Sequence, residues 1–344
     1  MVFQQNKSLR HYNTFGIEAK AALFAEYSSE EALMEILDEY HRYYSHLPLL
    51  HIGGGSNLLF LSDFPGLVIH SRILGIQPSQ PVDSSQLLVR VGAGVVWDDL
   101  VSACVSRGWN GLENLSFIPG EVGASAVQNI GAYGAEVKDF IYSVECVSLS
   151  TGEKRVFQAE ECQYAYRSSI FKHELKGQYA VTHVTYRLNQ HFTPYLDYGG
   201  LRAAIESQGI LERELTPQLL RETVIGIRKS KLPDPHVLGN AGSFFVNPIV
   251  STEQFQRVNS QYPTLPSYPV NESHVKVSAG WLIEQAGWKG RSLGPAAVHD
   301  RQALVLVNLG GATGQDILRL CEAVRHSVLQ KFGIELHPEV NFIG

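Results

Sequence analysis

The sequence lacks an excess of positive charge, closely spaced cysteines and long apolar runs. Acidic residues outnumber Lys and Arg by 34 to 28, a net charge of −6, which argues against a broad basic surface for nucleic acid or anionic lipid. The four cysteines are Cys104, Cys146, Cys162 and Cys321. Because no CxxC pair is present, zinc ribbons and disulfide scaffolds are disfavoured and reduced thiols are expected. No apolar window of about 18 residues predicts a membrane span, and the N-terminal residues have no apolar core typical of a secretory signal, so a cytoplasmic protein is expected.

Several nucleotide and metal motifs are also missing. The dinucleotide fingerprint GxGxxG fails after Gly53, where position 58 is leucine, and after Gly92, where position 97 is tryptophan. The lysine-bearing P-loop and the HExxH metal motif are absent as well. These absences disfavour a Rossmann-type nucleotide site and a catalytic metal.

The elements that the sequence predicts point to an α+β protein of more than one domain. The length of 344 residues suits two or three domains. Predicted strands at 48–52, 66–70 and 87–94, a hairpin over 140–158 and a helix over 314–332 mix without strict βαβ alternation. A further helix is predicted over 29–44, where Ser28 and Glu31 have the spacing of a capping box.

Seven of the 31 glycines cluster in two segments. A predicted strand leads directly into Gly53-Gly54-Gly55-Ser56-Asn57, which favours either a tight turn or a backbone cradle for an anion. The second segment, IPGEVGASAVQNIGAYG at 118–134, is typical of buried packing between strands. Together the two segments could clasp the ends of an extended dinucleotide such as FAD.

Five motifs in order resemble one family. They are HIGGGSNLLF, GLENLSFIPGEVGASAVQNIGAYG, YRSSIF, LPDPHVLGNAGSFFVNP and LHPEVNFIG. They resemble the UDP-N-acetylenolpyruvoylglucosamine reductases of peptidoglycan synthesis, also called UDP-N-acetylmuramate dehydrogenases, from about residue 13 to 344. The stretch Tyr198-Gly199-Gly200-Leu201, the tyrosine loop, resembles the longer subtype, which carries an extra substrate-covering loop.

The resemblance implies an α+β, three-domain flavoprotein with a vanillyl-alcohol-oxidase-type FAD-binding fold and a separate substrate-binding domain. The implied domains are a first FAD-binding subdomain at 1–72 completed by 333–344, a second at 73–232 containing the tyrosine loop, and a substrate-binding domain at 233–332. A monomer is expected.

The resemblance further implies that bound FAD accepts a hydride from NADPH. The hydride then passes to C3 of the enolpyruvyl ether of UDP-N-acetylglucosamine-enolpyruvate. The resemblance implies that protonation at C2 then gives UDP-N-acetylmuramate. This is a step of cell-wall biogenesis and so of cell shape and division. Arg167 matches the arginine that faces the substrate carboxylate, a task suited to a permanently charged fork. Ser243 matches the proton donor, and Glu339 the third catalytic position.

The resemblance also carries binding residues. The substrate-binding positions are Tyr133, Tyr166, Tyr198, Lys231, Asn247 and Gln302. The cofactor-binding positions are Gly53, Gly54, Gly55, Ser56, Asn57, Ile118, Gly131, Val181 and Arg228. No metal is implied. One departure is Asn341, which stands where many members have an arginine that touches the flavin.

Two other functions remain open from the sequence. A flavin-linked oxidase of the same fold, acting on another substrate, would have no need for the proton donor at Ser243. A flavin- or nucleotide-binding protein without catalysis would have no need for Arg167, Ser243 and Glu339 together.

Overall fold

The computed structural model describes residues 3–81, 85–198 and 200–344, and Gly199 of the tyrosine loop lies outside the described residues. Within them the strands are β1 (Gln4–Ser8), β2 (Lys20–Tyr27), β3 (Leu49–Ile52), β4 (Leu58–Phe60), β5 (Phe64–Ser71), β6 (Ile76–Pro81), β7 (Gln86–Gly92), β8 (Gly131–Ala132), β9 (Ala135–Glu136), β10 (Ile141–Ser148), β11 (Lys154–Gln158), β12 (Tyr179–Asn189), β13 (Gly239–Ser243), β14 (Ile249–Ser251), β15 (Ser267–Pro269), β16 (His274–Val277), β17 (Ser292–Leu293), β18 (Ala296–Val298), β19 (Val305–Asn308) and β20 (Asn341–Ile343). The α-helices are α1 (Glu30–Tyr43), α2 (Trp97–Ser106), α3 (Val122–Gln128), α4 (Leu201–Ser207), α5 (Pro217–Lys231), α6 (Thr252–Gln261), α7 (Ala279–Gln285) and α8 (Gly314–Phe332).

The helix ends follow local side-chain chemistry. The predicted helix 314–332 is confirmed: the Thr313 hydroxyl accepts the Asp316 amide, and Gly333 ends the helix with a left-handed φ of 66°. The prediction that Ser28 caps α1 is wrong. Ser29 is the cap, because its extended backbone lets its hydroxyl accept the Ala32 amide at 3.1 Å.

The chain folds into two compact units. Unit 1 comprises the N-terminal residues through Lys7, Ala21–Gly54 and Pro65–Ser230. Its two larger sheets have the strand orders β1-β2-β5-β3 and β11-β10-β12-β7-β6, and β8 pairs with β9. In the five-stranded sheet all neighbours are antiparallel, and its apolar face packs around Trp97 and Tyr186, whose rings meet edge to face.

Unit 2 comprises Ser8–Lys20, Gly55–Phe64 and Lys231–Gly344. It contains the sheets β13-β19-β18-β17 and β14-β16-β15 and the parallel pair β20-β4. That pair joins the C-terminal strand to the segment directly after the first glycine cluster.

Both units mix helices with strands, so the predicted α+β class is confirmed. None of the helices in the described residues combines the length and apolar character needed to cross a bilayer.

Candidate active site

The two glycine segments meet in unit 1. A Cβ on Gly53 would lie 3.2 Å from Ala124 Cβ and 3.3 Å from Glu121 Oε2, and one on Gly54 would lie 3.5 Å from Gly120 Cα. The sequence did not predict that the second segment contains α3, because that helix is built from Gly, Ala, Ser and Val without apolar periodicity. The end of β3 and the start of α3 thus form a narrow backbone cradle.

Residues Gly55 to Asn57 lie in unit 2. Gly55 has a φ of 66°, and a Cβ there would overlap the carbonyl group of Tyr12, so only glycine fits. The amide of Asn57 donates to the Glu339 carbonyl at 3.2 Å. Asn341 donates its main-chain N–H (3.0 Å) and its side-chain amide (3.2 Å) to the Asn57 carbonyl. The position where many family members have arginine is therefore used here to bind the glycine segment.

Arg167 occupies a tight turn in unit 1. Ala165 and Ser168 exchange main-chain hydrogen bonds of 3.1 and 2.9 Å, which leaves Tyr166 and Arg167 as the two central residues. Arg167 has a φ of 54°, a costly conformation for a side chain of this size. Its guanidinium donates to the Gly131 carbonyl at 2.7 Å and reaches the Asn129 carbonyl at 3.4 Å. Two predicted site residues, Arg167 and Gly131, are thus in direct contact.

Sequence reasoning missed Asn129, which organises this turn. Asn129 is fully buried and left-handed, with a φ of 46°. Its amide donates to the Ala165 carbonyl at 2.8 Å and to Glu136 at 3.0 Å, and its Oδ1 accepts the Lys138 amide at 3.1 Å. The signal available was an asparagine directly before a glycine-rich turn, the residue type most tolerant of left-handed backbone.

Arg228 on α5 brings a second guanidinium to the same part of unit 1. Its Nε donates to the Phe117 carbonyl at 3.0 Å, beside the predicted cofactor residue Ile118. Burial lowers the pKa of Arg228, and the nearby positive charge of Arg167 acts in the same direction. Burial also raises the pKa of Tyr133, against the opposing effect of Arg228. Two guanidinium groups and a neutral phenol close together suit an anionic ligand.

The loop that carries Phe117 and Ile118 is fixed by a missed ion pair. Asp98 accepts both terminal nitrogens of Arg221, at 2.6 and 2.8 Å, and also the Phe117 amide. These bonds lower the pKa of the Asp98 carboxyl although burial alone would raise it. Asp98 is therefore held ionised mainly by its paired hydrogen bonds with Arg221, and it fixes the loop before Ile118 through the Phe117 amide.

The tyrosine loop lies against Tyr133. A Cβ on Gly134 would lie 2.9 Å from Tyr198 Cβ, and Asn114 donates to the carbonyls of Tyr133 (2.9 Å) and Tyr195 (2.8 Å). Tyr166 and Tyr198 are 39% and 42% exposed, large phenols left accessible beside the site. Val181, a predicted cofactor residue of unit 1, has its side chain buried in the sheet core. Only its backbone could contact a ligand.

Ser243 is exposed at the end of β13 because the strand is bulged. Asn240 pairs with Val307 but Ser243 pairs with Val305, and Gly242 between them has a φ of 68°. Asn240 holds the bulge by accepting the Gly242 amide at 2.9 Å. The bulge turns the Ser243 hydroxyl outward while Phe244 and Phe245 stay buried.

Glu339 lies on the chain segment next to Ser243 in unit 2. Its amide donates to the Phe244 carbonyl at 2.8 Å, and Phe245 forms a bridge with Pro338. Two predicted catalytic residues nearly 100 positions apart in sequence are therefore neighbours on adjoining backbone.

Asn247 and Gln302 both lie beside the start of α7. The Asn247 Oδ1 accepts the Ala279 amide at 3.0 Å, and a Cβ on Gly280 would lie 3.3 Å from Gln302 Oε1. Lys231, the last residue of α5, is exposed in the same unit.

One cluster has the spacing of a metal site, but its carboxylates are already bound by cations. Among the described residues, Glu30, Glu145 and His183 have ligand atoms within 4.8 Å of one another. Arg90 forms two hydrogen bonds with Glu145, and Lys154 pairs with Glu30. The cluster is best described as an ion-pair network.

The geometry in unit 1 fits FAD. The cradle is narrow enough that a single added methyl group would fill it at Gly53, and one carboxylate oxygen of Glu121 reaches it without a hydrogen-bond partner. Gly53 and Gly54 lie at this cradle. Gly131 accepts a hydrogen bond from Arg167, and Arg228 donates to the residue before Ile118.

Comparison with known proteins agrees with this arrangement. Residues 21–157 match the FAD binding domain family, and residues 234–343 match the C-terminal domain of UDP-N-acetylenolpyruvoylglucosamine reductase. The reductase of that name from Bacteroides fragilis strain ATCC 25285 is 54% identical over 99% of this chain and 100% of its own length. The one from Porphyromonas gingivalis strain ATCC 33277 is 48% identical and covers 100% of both chains. The crystal structure of the Thermus caldophilus reductase has a TM-score of 0.68 at 24% identity, covers 100% of both chains, and so shares the fold.

These matches span both units and include every motif on which the sequence interpretation depended. The chain belongs to the UDP-N-acetylenolpyruvoylglucosamine reductase family.

Proposed function

We propose that this chain catalyses the NADPH-dependent reduction of the enolpyruvyl ether of UDP-N-acetylglucosamine-enolpyruvate to UDP-N-acetylmuramate. The chain is 54% and 48% identical to two reductases of that name over 99% and 100% of its length, which supports this reaction. FAD, when bound, supplies the hydride carrier between NADPH and the sugar. The observation that carries the residue assignment is that Ser243 and Glu339 lie on adjoining backbone segments of unit 2. In unit 1, main-chain carbonyls hold the Arg167 guanidinium in place.

Arg167 binds the substrate carboxylate in this proposal. Hydride addition at C3 of the enolpyruvyl group places negative charge on C2 and its carboxylate. A guanidinium already fixed by two carbonyl oxygens stabilises that charge without reorganising. The strained φ of Arg167 is consistent with a side chain placed for binding.

Ser243 gives the proton to C2. A serine hydroxyl is a weak acid, but the carbanionic centre at C2 is strongly basic, so the transfer is downhill. The bulge presents this hydroxyl on the surface of unit 2 and Glu339 lies on the next segment, where its carboxyl can return the proton to Ser243. The backbone contacts fix the positions of Ser243 and Glu339 relative to each other.

Six further polar side chains bind the UDP-sugar in this proposal. Because Asn247 uses its Oδ1 to accept the Ala279 amide, its Nδ2 is the atom that donates to a diphosphate oxygen. Lys231 adds a point charge for the same diphosphate, and Gln302, Tyr133, Tyr166 and Tyr198 complete the set. The three-domain division at residues 72, 232 and 332, a monomeric state and a cytoplasmic location belong to the same proposal.

The assay that tests this function follows NADPH oxidation by the purified yellow protein with and without the enolpyruvyl UDP-sugar. We expect rapid consumption only when the sugar is present, together with one UDP-N-acetylmuramate formed per NADPH. Turnover of unrelated alcohols with oxygen, and none of the sugar, would contradict the proposal and support a flavin oxidase.

A further inference from the structure

Three titratable side chains form a hydrogen-bonded chain in unit 1 that the proposed reaction does not use. His70 on β5 lies between two carboxylates, with Nδ1 3.0 Å from Glu26 Oε1 and Nε2 2.9 Å from Glu121 Oε1. Glu26 is at the surface, whereas His70 and Glu121 are 4% and 7% exposed. The chain therefore runs from solvent to a buried carboxylate at the start of α3.

The two carboxylates beside His70 favour its protonated form. Burial would lower the pKa of His70, but the hydrogen bonds and charges of Glu121 and Glu26 outweigh it and raise the pKa. A protonated imidazole donates from both nitrogens, one to each carboxylate. Consequently Oε1 of Glu121 is committed to His70, and the orientation of the carboxylate is fixed.

The other oxygen of Glu121 is buried without a hydrogen-bond partner. It points at the glycine cradle, because a Cβ on Gly53 would lie 3.3 Å from it. An unsatisfied buried carboxylate oxygen costs free energy that a native structure retains only for a reason. A hydrogen-bond donor supplied by a ligand in the cradle would remove that cost.

We propose that Glu121 Oε2 accepts a hydrogen bond from a sugar hydroxyl of the bound flavin dinucleotide, and that His70 and Glu26 position this oxygen. The inference rests on the proposed function, because it requires FAD in the cradle of Gly53 and Gly54. Glu121 is a binding residue in this account, and His70 and Glu26 are positioning residues.

The chemistry of the ligand selects a hydroxyl. A carboxylate oxygen needs a donor, and the phosphates of FAD are anionic acceptors that it repels. A glycine cradle suits the diphosphate, which in FAD is flanked by the ribityl chain on one side and the ribose on the other. The donors that come nearest to such a cradle are therefore hydroxyl groups of one of these two sugars.

The test is the variant Glu121→Gln, read by FAD affinity of the flavin-free chain in a fluorescence titration. Because His70 still requires an acceptor, the glutamine turns its oxygen to His70 and presents an NH₂ donor to the cradle. We expect FAD to bind about 10- to 100-fold more weakly, the range for losing a hydrogen bond to a charged group. Glu113→Gln is the matched control, because Glu113 is also a buried glutamate (4% exposed) with one oxygen bonded to a main-chain amide, that of Gly111, and the other without a partner. Glu121, and not Glu113, is the glutamate beside Gly53 and Gly54, so the control should bind FAD as the wild type does.

Flavin analogues separate a ligand contact from a structural role. The analogues are FMN, FAD with 2′,3′-dideoxyadenosine and FAD with a deoxygenated ribityl chain. The loss caused by Glu121→Gln should disappear with analogues that lack the contacted hydroxyl. If Glu121 contacts the ribose, FMN and the dideoxyadenosine analogue should show no loss. If it contacts the ribityl chain, the ribityl analogue should show none. An equal loss with FAD and every analogue would mean a structural role and overturn the inference.

Wild-type protein gives a second readout if the variant does not fold. It should bind either the dideoxyadenosine analogue or the ribityl analogue about tenfold more weakly than FAD, and equal binding of FAD and these two analogues would overturn the inference. Normal FAD binding with no discrimination would leave the proposed function intact. Failure of the wild type to bind FAD at all would overturn both.

Discussion

The guanidinium of Arg167 is held by the main-chain carbonyls of Gly131 and Asn129. Its function therefore depends on the shape of the side chain as well as on its charge. Arg167→Lys keeps the charge but loses the planar fork, so the ammonium cannot reach the carbonyls and a substrate carboxylate together. We expect kcat/KM for the enolpyruvyl sugar to fall about 100-fold, with FAD affinity unchanged. Steady-state kinetics and flavin titration measure the two quantities. Arg155→Lys, at an exposed arginine of β11, is the control, and an equal loss in both variants would contradict this role.

Ser243 allows the two half-reactions to be separated. Ser243→Ala removes the hydroxyl but leaves the bulge, which depends on Gly242 and Asn240. We expect flavin reduction by NADPH to keep its rate and turnover of the sugar to fall about 10²- to 10⁴-fold, the range for a general acid. Stopped-flow absorbance at about 450 nm follows the first step and product formation the second. The exposed Ser292 of β17 offers a matched Ser→Ala control. Full turnover by Ser243→Ala would assign the proton to another donor.

At the scale of elements, the turn between β3 and β4 depends on Gly55. Gly55→Ala combines a left-handed backbone with an overlap against the Tyr12 carbonyl, whereas Gly287→Ala, after α7, adds a methyl group to open space at a φ of 80°. We expect Gly287→Ala to cost about 1–2 kcal/mol from backbone strain alone. Gly55→Ala should cost about 2–5 kcal/mol, because overpacking adds to the same strain. Thermal unfolding of both variants measures the difference, and equal losses would show that the close approach to Tyr12 is unimportant.

The elements also show what sequence could predict. Helix α8, the strand β3 and the hairpin of β10 and β11 follow from apolar periodicity and turn residues, and their predictions are confirmed. Helix α3 could not be predicted, because its seven residues lack apolar periodicity and Gly123, which packs closely against Ala93, is a poor helix former. The motifs identified the family, the FAD-binding type of fold and the reductase activity. They gave no sign of the pair His70 and Glu121, because that contact joins residues 51 positions apart in sequence through the fold.

At the scale of the whole chain, the two matched families divide between the two units. The FAD binding domain family matches 21–157, nearly all of it in unit 1, whereas the reductase C-terminal domain matches 234–343 in unit 2. A ligand that binds only the folded state stabilises the part that holds it, by about 2.7 kcal/mol at 100 times its dissociation constant. FAD at that concentration should therefore slow hydrogen exchange up to about 100-fold at 53–54 and 118–131 and leave α6 of unit 2 unchanged.

Hydrogen exchange followed by mass spectrometry, with and without FAD on the flavin-free full chain, measures this difference directly. Adenosine monophosphate at the same concentration is the control, because it lacks the flavin, the ribityl chain and the second phosphate. If Glu121 holds a flavin sugar, Glu121→Gln should need a higher FAD concentration for the same protection at 118–131, since protection depends on the ratio of ligand to dissociation constant. Equal slowing in α6 and at 118–131 would contradict the prediction that FAD protects the cradle of Gly53 and Gly54 selectively.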